Sequence, residues 1–399
     1  MRDLITLDSL DQDNKELFKK AKDICLQMIE DLKAGRKPKL EAVKCALDNA
    51  IYDEKLHILR AGSKLVTTEL NVNSIKKLTR TIVVLDVLLE NSMSNLVMSR
   101  RELYYLIKSY SKNDSTLKAI EVTDQKETDE IIDFICEILE ILKEQLNVFS
   151  SDRGAQTYSK NLIVTEELPN GKKAIIDLSS LGTSPFMPKN KPQKLSVKTK
   201  KGKLDFILIV ESEGTANTLI SNGILDRHNC VVIGSQGVPS NAVRRWARIL
   251  QDQLNTDLFF FGDLDAFTIA SIAKTLICGS GASLIRNADY CAPEVKYLGV
   301  LPEDIERYDL SDYKVKTEDE SEYRAIKRAK DALDNDPFFK DKSPKNKALK
   351  KILEWLVKEE RRCEQQALIG GKLSKNDKPS PLMMEKIIID KIKKGHYIK

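Results

Sequence analysis

The N-terminal part of the chain places its apolar residues mainly at the spacing of α-helices. Residues 13–33 and 38–50 repeat apolar side chains every three or four positions, as do residues 71–92, 99–112 and 127–148. Because this spacing gathers apolar side chains on one face, each segment is predicted to form a helix with one buried side. Short helices that end near a basic helix are typical of a helix-turn-helix or winged-helix module. We therefore predict a mainly helical first domain.

The pattern changes near residues 155–160, where strands begin to appear. Residues 161–205 combine short apolar runs with turns, and beyond residue 204 continuous apolar runs alternate with helical segments. These runs are "LDFILIVE", "CVVIGS", "DLFFF" and "VKYLGV". Because such runs bury both faces of a strand, they predict an α/β domain with a parallel sheet between helices. We place the two domains at residues 1–157 and 158–399.

Three acidic residues lie where two of the predicted strands end. Glu211 ends the first strand, and Asp263 and Asp265 follow a later one in "FFFGDLD". Alternate side chains of an extended chain point the same way, and parallel strands end at one edge of the sheet, so the three acids can converge. Such carboxylates suit Mg²⁺. In the alternative interpretation, each acid caps the helix that follows it.

Motifs of several other enzyme classes are missing from the sequence. It contains no G-x-x-x-x-G-K-[ST], no G-x-S-x-G, no H-E-x-x-H and no G-x-G-x-x-G after a strand. The seven cysteines form no C-x-x-C pair, and none of the three histidines lies near a cysteine cluster. The sequence therefore predicts no zinc site and favours reduced thiols, as in a cytosolic or nuclear protein.

Positive charge is concentrated locally, although the 399-residue chain carries a net charge of only +5. Residues 189–203 hold seven lysines and no acid, among them Lys198, Lys200 and Lys201. Such runs are usually solvated loops, but phosphate binding also requires this clustering. The chain has no apolar stretch of membrane-spanning length, and its mixed, acidic start does not resemble a signal peptide. We expect no membrane association and a location in the cytoplasm or nucleoid, or in the nucleus of a eukaryote.

Two adjacent tyrosines follow a pair of arginines in "SRRELYYLIKSY", with Ser99 and Glu102 in the arrangement of a capping box. At about 100° per residue, Tyr104 lies on the flank of the helix's apolar face and Tyr105 points nearly opposite to it. The residues predicted for that apolar face are Leu103, Leu106, Ile107 and Tyr110. An exposed tyrosine can be an ordinary surface residue, or a nucleophile if a base, cation or metal assists it.

Several motifs together resemble the family of the A subunit of archaeal DNA topoisomerase VI, which includes the eukaryotic meiotic double-strand-break transesterase. The motifs are "NAIYDEKLHILRAGSK", "SRRELYY", "ILIVESEG", "GDLD", "APEVKYLGVLPEDIERYDL" and "RRCEQQAL". Their order and spacing between about residues 45 and 370 make the resemblance specific. It implies a winged-helix (CAP-like) domain with a catalytic tyrosine, followed by a metal-binding Toprim domain with a Rossmann-like parallel sheet.

By motif position, the resemblance implies that Tyr105 is the nucleophile and that Arg101 lies near the scissile phosphate. It also implies that Glu211, Asp263 and Asp265 hold Mg²⁺. The residues expected to contact DNA are Arg100, Arg244, Arg245, Lys198, Lys200 and Lys201.

The implied partners follow from the same resemblance. In this family the tyrosine of one protomer works with the metal site of the other, which implies a homodimer on double-stranded DNA. The chain has no nucleotide-binding motif. A separate ATPase B subunit is therefore implied, in an A2B2 heterotetramer.

The implied reaction is cleavage and rejoining of DNA through a 5′-phosphotyrosyl link. One departure from the family lies in the loop after the D-x-D, where Ala266, Phe267 and Thr268 replace the usual Pro-Tyr-Gly, and another is "GSQGVPS" after the second strand. Three alternatives stay open: a meiotic-type protein that leaves breaks, a Toprim nuclease or primase that does not use the tyrosine, and a non-catalytic DNA-binding protein.

Overall fold

The computed structural model of the chain describes residues 12–94, 96–113, 118, 121–149, 154–168, 171–188, 194–316 and 320–399. Its α-helices, in chain order, are α1 (Gln12–Lys33), α2 (Ile75–Met93), α3 (Arg100–Asn113), α4 (Gln125–Leu139), α5 (Glu213–Ser221), α6 (Ile224–Arg227), α7 (Asn241–Gln253), α8 (Lys274–Ile277), α9 (Asn287–Tyr290), α10 (Pro302–Arg307), α11 (Glu320–Asn335), α12 (Pro337–Lys340), α13 (Pro344–Glu359) and α14 (Pro381–Lys394).

The strands complete this outline. They are β1 (Lys39–Val43), β2 (Ala50–Asp53), β3 (Ile58–Ala61), β4 (Leu65–Glu69), β5 (Met98–Ser99), β6 (Val148–Phe149), β7 (Gln156–Ser159), β8 (Leu162–Glu167), β9 (Lys173–Asp177), β10 (Lys194–Thr199), β11 (Phe206–Val210), β12 (Cys230–Gly234), β13 (Leu258–Phe261), β14 (Lys296–Gly299), β15 (Val315–Lys316) and β16 (Arg361–Arg362). A π-helical turn spans Thr268–Ala273, and a 3₁₀ turn spans Lys143–Leu146.

A five-stranded sheet forms the centre of the larger core, in the order β14-β13-β11-β12-β7. The first four strands in this order are parallel, and β7 pairs antiparallel with β12 at the edge. All residues of β11, β12 and β13 are buried, because helices cover both faces of the sheet. This confirms the predicted parallel sheet.

The lysine-rich run contributes to a separate antiparallel sheet. Strand β10 pairs with β8, and β8 pairs with β9. Leu195 is buried in β10, whereas Lys194 and Lys198 are exposed. The run is therefore partly a sheet edge and not wholly a loop.

A second hydrophobic core is formed mainly by helices α1 to α4. Apolar side chains of α1, α2, α3 and α4 pack together in it, including Leu88, Leu103 and Ile132. We call this part the helical module and the part built on the five-stranded sheet the sheet module. Strand β7 spans the boundary predicted at residue 157 and belongs to the sheet module. The division into two domains stays a prediction.

Two helix predictions in the helical module are wrong in part. Residues 38–50 contain β1, a 3₁₀ turn at Leu47–Asn49 and the first residue of β2. Strand β1 forms because it pairs with β4 and buries Leu40 and Ala42 in alternation. The helix predicted over 127–148 ends at Leu139, where Glu140 takes a left-handed conformation with φ of 53°. Along the described residues, no helix is long and apolar enough to cross a membrane.

Candidate active site

The three acids meet at the carboxyl edge of the central sheet. Glu211 directly follows β11, while Asp263 and Asp265 come after β13. These two strands are parallel neighbours, with Val210 opposite Phe261, so both strands leave the sheet at the same edge. The Asp263 N–H donates to Glu211 Oε2 at 3.1 Å. The fold thus places all three acids at one edge of the sheet, and their role in holding a metal stays a prediction.

Glu211 is held by contacts to both its side chain and its backbone. The Thr268 hydroxyl donates to the carboxylate, at 3.1 Å from Oε1 and 3.0 Å from Oε2. The Glu211 carbonyl accepts the Gly237 N–H at 2.8 Å and the Ser235 hydroxyl at 3.2 Å. Gly262 leaves the carboxylate room, because a Cβ there would lie 2.4 Å from Glu211 Oε2.

The two aspartates have different backbone partners. Asp263 Oδ1 accepts the Gln365 N–H at 2.8 Å, which ties the acid to a distant segment. Asp265 Oδ1 accepts the Thr268 N–H at 2.7 Å, three residues along, as a helix-capping acid does. The capping interpretation is therefore correct for Asp265, and it is compatible with a second function.

Burial and mutual repulsion raise the pKa values of these carboxyl groups. Burial first, then Asp263 and Asp265, raise the pKa of Glu211 to about 8. Burial, then the neighbouring Asp265 and Glu364, raise the pKa of Asp263 to about 6 against opposing hydrogen bonds from Gln365. The pKa of Asp265 is also raised by burial. These are the shifts expected where buried carboxyl groups lie close to one another.

A divalent cation fits this donor set by charge and by chemistry. The donors are carboxylate oxygens, and within the described ranges none of the three acids forms an ion pair with a lysine, arginine or histidine. Among those residues, however, no cluster of three or more His, Cys, Asp or Glu side chains is already arranged to hold a metal ion. Both Glu211 oxygens are occupied by the Thr268 hydroxyl. A carboxylate has about four acceptor sites, so a cation would share Glu211 with that hydrogen bond.

A cavity of about 340 Å³ opens beside Asp265. Phe267 and Leu356 supply apolar wall, while Arg328 and Arg362 bring positive charge. The Arg362 guanidinium lies 2.7 Å from the Glu322 carboxylate, so its charge is partly compensated. The altered loop after the D-x-D thus lines a space next to the acids.

The tyrosine helix α3 begins with the predicted capping box. The Ser99 N–H donates to Glu102 Oε2 at 2.7 Å, and the Glu102 N–H donates to Ser99 Oγ at 3.2 Å. Leu103 and Ile107 are buried as predicted, but Tyr110 is 40% exposed. Tyr104 takes its place in the buried stripe, so the buried face is rotated toward Tyr104.

The two adjacent tyrosines have opposite environments. Tyr104 is 9% exposed, its hydroxyl donates to the Thr123 carbonyl at 3.1 Å, and it accepts from Lys108 Nζ at 3.0 Å. Tyr105 is 56% exposed, and its ring packs against Tyr104 at a centroid distance of 5.1 Å. Among the described residues, none of the hydrogen bonds of the three acids reaches α3. Because more than half of its surface is exposed, the Tyr105 side chain can contact a group outside this chain.

The arginines predicted to contact DNA differ in accessibility. Arg101 is exposed beside Tyr105. Arg100 pairs with Asp129 and Asp133 in α4. Arg244 is only 4% exposed, so its side chain supports the fold from within. Arg245 is half-buried.

The three lysines predicted to contact DNA lie at the end of β10 or just beyond it. Lys198 and Lys201 are exposed. Lys200 pairs with Asp177, with Nζ 2.6 Å from Oδ2. The roles of these lysines and of the arginines in DNA binding stay predictions.

Thr268 and Gln365 are the site residues that sequence reasoning missed. Thr268 stands three residues after Asp265, a spacing that signals a cap but not a bond to Glu211. Gln365 reaches Asp263 from 102 residues along the chain. No local pattern could have indicated that contact.

Comparisons with known proteins agree with this architecture. Residues 206–376 match the family described as the Toprim domain of the topoisomerase 6 A subunit and Spo11, and residues 76–148 match the family "Type IIB DNA topoisomerase". These matches define the class of protein as the type IIB DNA topoisomerases.

Curated relatives extend the match over nearly the whole chain. The A subunit of type 2 DNA topoisomerase 6 from Methanocaldococcus jannaschii is 29% identical over 366 residues, covering 92% of this chain and 93% of the relative. The protein of the same name from Pyrococcus horikoshii is 26% identical over 370 residues, covering 90% and 91%. The chain belongs to the family of the topoisomerase VI A subunit and Spo11, as its motifs predicted, and it is an enzyme of the DNA topoisomerase class.

Proposed function

We propose that the chain cleaves and rejoins duplex DNA by transesterification, with Tyr105 as the nucleophile. The observation that carries this proposal is the contrast within the tyrosine pair. The hydroxyl of Tyr104 is engaged by Thr123 and Lys108, whereas Tyr105 extends from the same helix into solvent. Of the two adjacent tyrosines, Tyr105 alone can reach a backbone phosphate without unpacking α3.

The proposed step exchanges one phosphoester for another. The Tyr105 oxygen bonds to phosphorus as the bond from phosphorus to the 3′ oxygen breaks, leaving a 5′-phosphotyrosyl link and a 3′ hydroxyl. The phenolic proton passes to water, and the leaving oxygen takes up a proton. Arg101, exposed four residues before Tyr105, stabilises negative charge on the phosphate. Because bond energy is conserved in the link, resealing needs no ATP.

Glu211, Asp263 and Asp265 would hold Mg²⁺ in this proposal. When bound, the ion would supply electrostatic stabilisation of the phosphate and of the leaving oxygen. Thr268 and the Gln365 N–H keep the carboxylates in position. The raised pKa values support this assignment, because a cation would relieve the repulsion among the acids.

The partners proposed here follow from the family. The helical module would act as a winged-helix DNA-binding domain, and two copies of the chain would cut opposite strands as a homodimer. The curated relatives are named as A subunits, which supports an A2B2 assembly with a separate ATPase B subunit. The proposed location is that of the duplex DNA, which is the nucleoid, or the nucleus in a eukaryote.

Covalent trapping tests this proposal. The chain is incubated with end-labelled duplex DNA, Mg²⁺, an ATP analogue and a candidate B subunit, then denatured and examined for labelled protein. We expect Tyr105→Phe to abolish the adduct and Tyr104→Phe, the matched control, to retain it.

The other results identify the alternatives. Cleavage to free ends that survives in Tyr105→Phe would indicate a Toprim nuclease and overturn the proposal. Adducts that persist without resealing after the analogue is removed would favour the meiotic type of break. DNA binding without cleavage by the wild-type chain, with its cognate B subunit present, would favour a non-catalytic protein.

A further inference from the structure

A series of polar side chains connects the tyrosine helix to the sheet module. Two arginines predicted as DNA contacts, Arg100 and Arg244, lie at its two ends. Between them stand acids of α4 and residues at the start of α9. We call this series the arginine network. Among the described residues, none of the hydrogen bonds of Glu211, Asp263 and Asp265 involves this network.

The first part of the arginine network holds the start of α3. Arg100 is the first residue of α3 and stands five positions before Tyr105. Its Nε lies 3.2 Å from Asp129 Oδ1, and its Nη2 lies 3.1 Å from Asp133 Oδ2. Two carboxylates, one turn apart on α4, therefore fix the end of the helix from which Tyr105 extends.

The second part of the network reaches the sheet module through Asp133. The other oxygen of Asp133 lies 3.6 Å from Arg286 Nη1. Arg286 is only 7% exposed, and it immediately precedes α9. Asp133 is thus shared between an arginine of each module, whereas the ion pair of Asp129 is with Arg100 inside the helical module.

Neighbouring contacts anchor Arg286 on its own side. The Tyr290 hydroxyl in α9 donates to Glu144 Oε2 of the helical module at 2.8 Å. Arg244 of α7 donates to Asn287 Oδ1 at 3.3 Å and lies over the Tyr290 ring at 5.6 Å. The segment that carries Arg286 is therefore fixed to both modules, and Asp133 transmits its position to α3.

We infer that Asp133 is a positioning residue, whose carboxylate holds the Tyr105 helix in register with the sheet module by bridging Arg100 and Arg286. This inference rests on the proposed role of Tyr105. The bridge acts on the reaction through geometry. In the implied homodimer the position of α3 on its own sheet module sets where Tyr105 meets the metal site of the other protomer, and a nucleophile displaced by about 1 Å can lose on the order of 100-fold in rate. It would leave the affinity for metal unchanged, since the contacts of Asp133 are with Arg100 and Arg286 and not with the three acids.

The test compares two acids that contact the same arginine. We measure the rate constant of covalent adduct formation at saturating DNA and Mg²⁺ in the full chain with its B subunit, together with the dissociation constant for DNA. We expect Asp133→Asn to slow adduct formation about tenfold or more even at saturating DNA, where a change in DNA affinity cannot account for the loss. Asp129→Asn removes one carboxylate from Arg100 but leaves the contact between Asp133 and Arg286, so it should slow adduct formation clearly less than Asp133→Asn does.

A double-mutant cycle identifies the bridge itself. Arg286→Gln should slow the reaction as Asp133→Asn does, and the double variant should be no slower than the slower single variant. Asp133→Glu keeps the carboxylate and should recover most of the rate, which a general loss of folding would not allow. Tyr105→Phe is measured in parallel.

The outcomes separate the inference from the function on which it rests. An adduct that survives in Tyr105→Phe overturns the proposed function. If Tyr105→Phe is inactive but Arg286→Gln reacts at the wild-type rate, only the bridge is overturned. Equal losses in Asp133→Asn and Asp129→Asn, or rate effects of Asp133 and Arg286 that multiply independently, would also reject it.

Discussion

The hydroxyl of Thr268 touches both oxygens of Glu211, and this contact sets the orientation of the first acid at the sheet edge. Thr268 is fully buried, so the hydrogen bond forms away from bulk water, where bonds to charged groups are worth about 1.5–3 kcal/mol. The resemblance of the sequence to the family implies a glycine at this position, as the last residue of Pro-Tyr-Gly. A residue that departs from the family pattern therefore supports one of the predicted metal ligands.

Replacing Thr268 with valine should weaken metal binding. Thr268→Val keeps the shape but removes the hydroxyl, which leaves the Glu211 carboxylate poorly oriented. We expect the affinity for Mg²⁺, measured by calorimetric titration, to fall about tenfold, and Thr268→Ser, which keeps the hydroxyl, to retain it. Equal affinities in Thr268→Val and the wild type would show that the hydroxyl does not serve the metal site.

Gly262 offers a steric test of the same carboxylate. A Cβ at this position would stand 2.4 Å from Glu211 Oε2, so Gly262→Ala must displace the acid or the strand end. We expect a loss of about 1–3 kcal/mol in the free energy of unfolding, together with a loss of Mg²⁺-dependent cleavage. Gly214→Ala is the control, because its Cβ would meet only Ser212 Oγ at 3.7 Å. Full cleavage activity in Gly262→Ala would exclude a role for the observed Glu211 position.

At the scale of elements, the lysines in β10 and in the residues just after it differ in whether their charge is paired with an acid. Lys198 and Lys201 are exposed, whereas the charge of Lys200 is paired with Asp177. We expect Lys198→Ala and Lys201→Ala each to reduce the logarithmic salt slope of DNA binding by about 0.9, and Lys200→Ala to reduce it less.

The control for this prediction lies on a neighbouring strand of the same sheet. Lys173 in β9 pairs with Glu167 at 3.2 Å, and Lys173→Ala should leave the slope unchanged. Salt titrations of a fluorescent duplex measure the slopes. If all four substitutions changed the slope equally, β10 would have no particular role on the DNA.

The sequence was sufficient to predict those strands and helices whose pattern of apolar residues is local. Strands β11 and β13 are apolar throughout because both their faces are buried, and that pattern was readable directly. Residues 38–50 were misread as a helix, because the alternation that buries Leu40 depends on pairing with β4, more than 20 residues away. Long-range pairing has no signature within a short window.

The same limit applies to the predicted site residues. The position of Glu211, Asp263 and Asp265 directly after predicted parallel strands was enough to predict that they would share one edge of the sheet, because parallel strands end at the same edge. The burial of Arg244 and the partial burial of Arg100 could not be predicted, since they depend on partners such as Asn287 and Asp133, which lie 43 and 33 residues away. From sequence alone, a charged residue is predicted to be exposed, because the residue that pairs with it is not known.

For the whole molecule, the acidic edge makes stability depend on pH. Because the pKa of Glu211 in the folded chain is about 8, above its usual 4.5, the folded state binds this proton more tightly. The resulting stability is fully present below pH 4.5 and is lost as pH rises through 8. We expect the metal-free chain to lose on the order of a few kcal/mol from this group across that window.

Matched variants and added metal isolate that contribution in thermal unfolding scans. Glu211→Gln cannot ionise, so its melting temperature should fall less than that of the wild type between pH 5 and pH 8. Mg²⁺ should raise the melting temperature of the wild type more at pH 8 than at pH 6, because protons compete for its ligands. Parallel pH profiles of Glu211→Gln and the wild type would contradict the raised pKa.

The central claim is that Tyr105 becomes covalently joined to DNA, and mapping the attachment site in the unmutated chain tests it most directly. Adducts trapped with the B subunit, Mg²⁺ and duplex DNA are digested with nuclease and trypsin. Mass spectrometry with electron-transfer fragmentation then locates the remaining nucleotide within the peptide spanning residues 102–108, "ELYYLIK". The account predicts a 5′-linked nucleotide on Tyr105 and none on Tyr104. A nucleotide on any other residue, or cleaved DNA without a linked nucleotide, would contradict it.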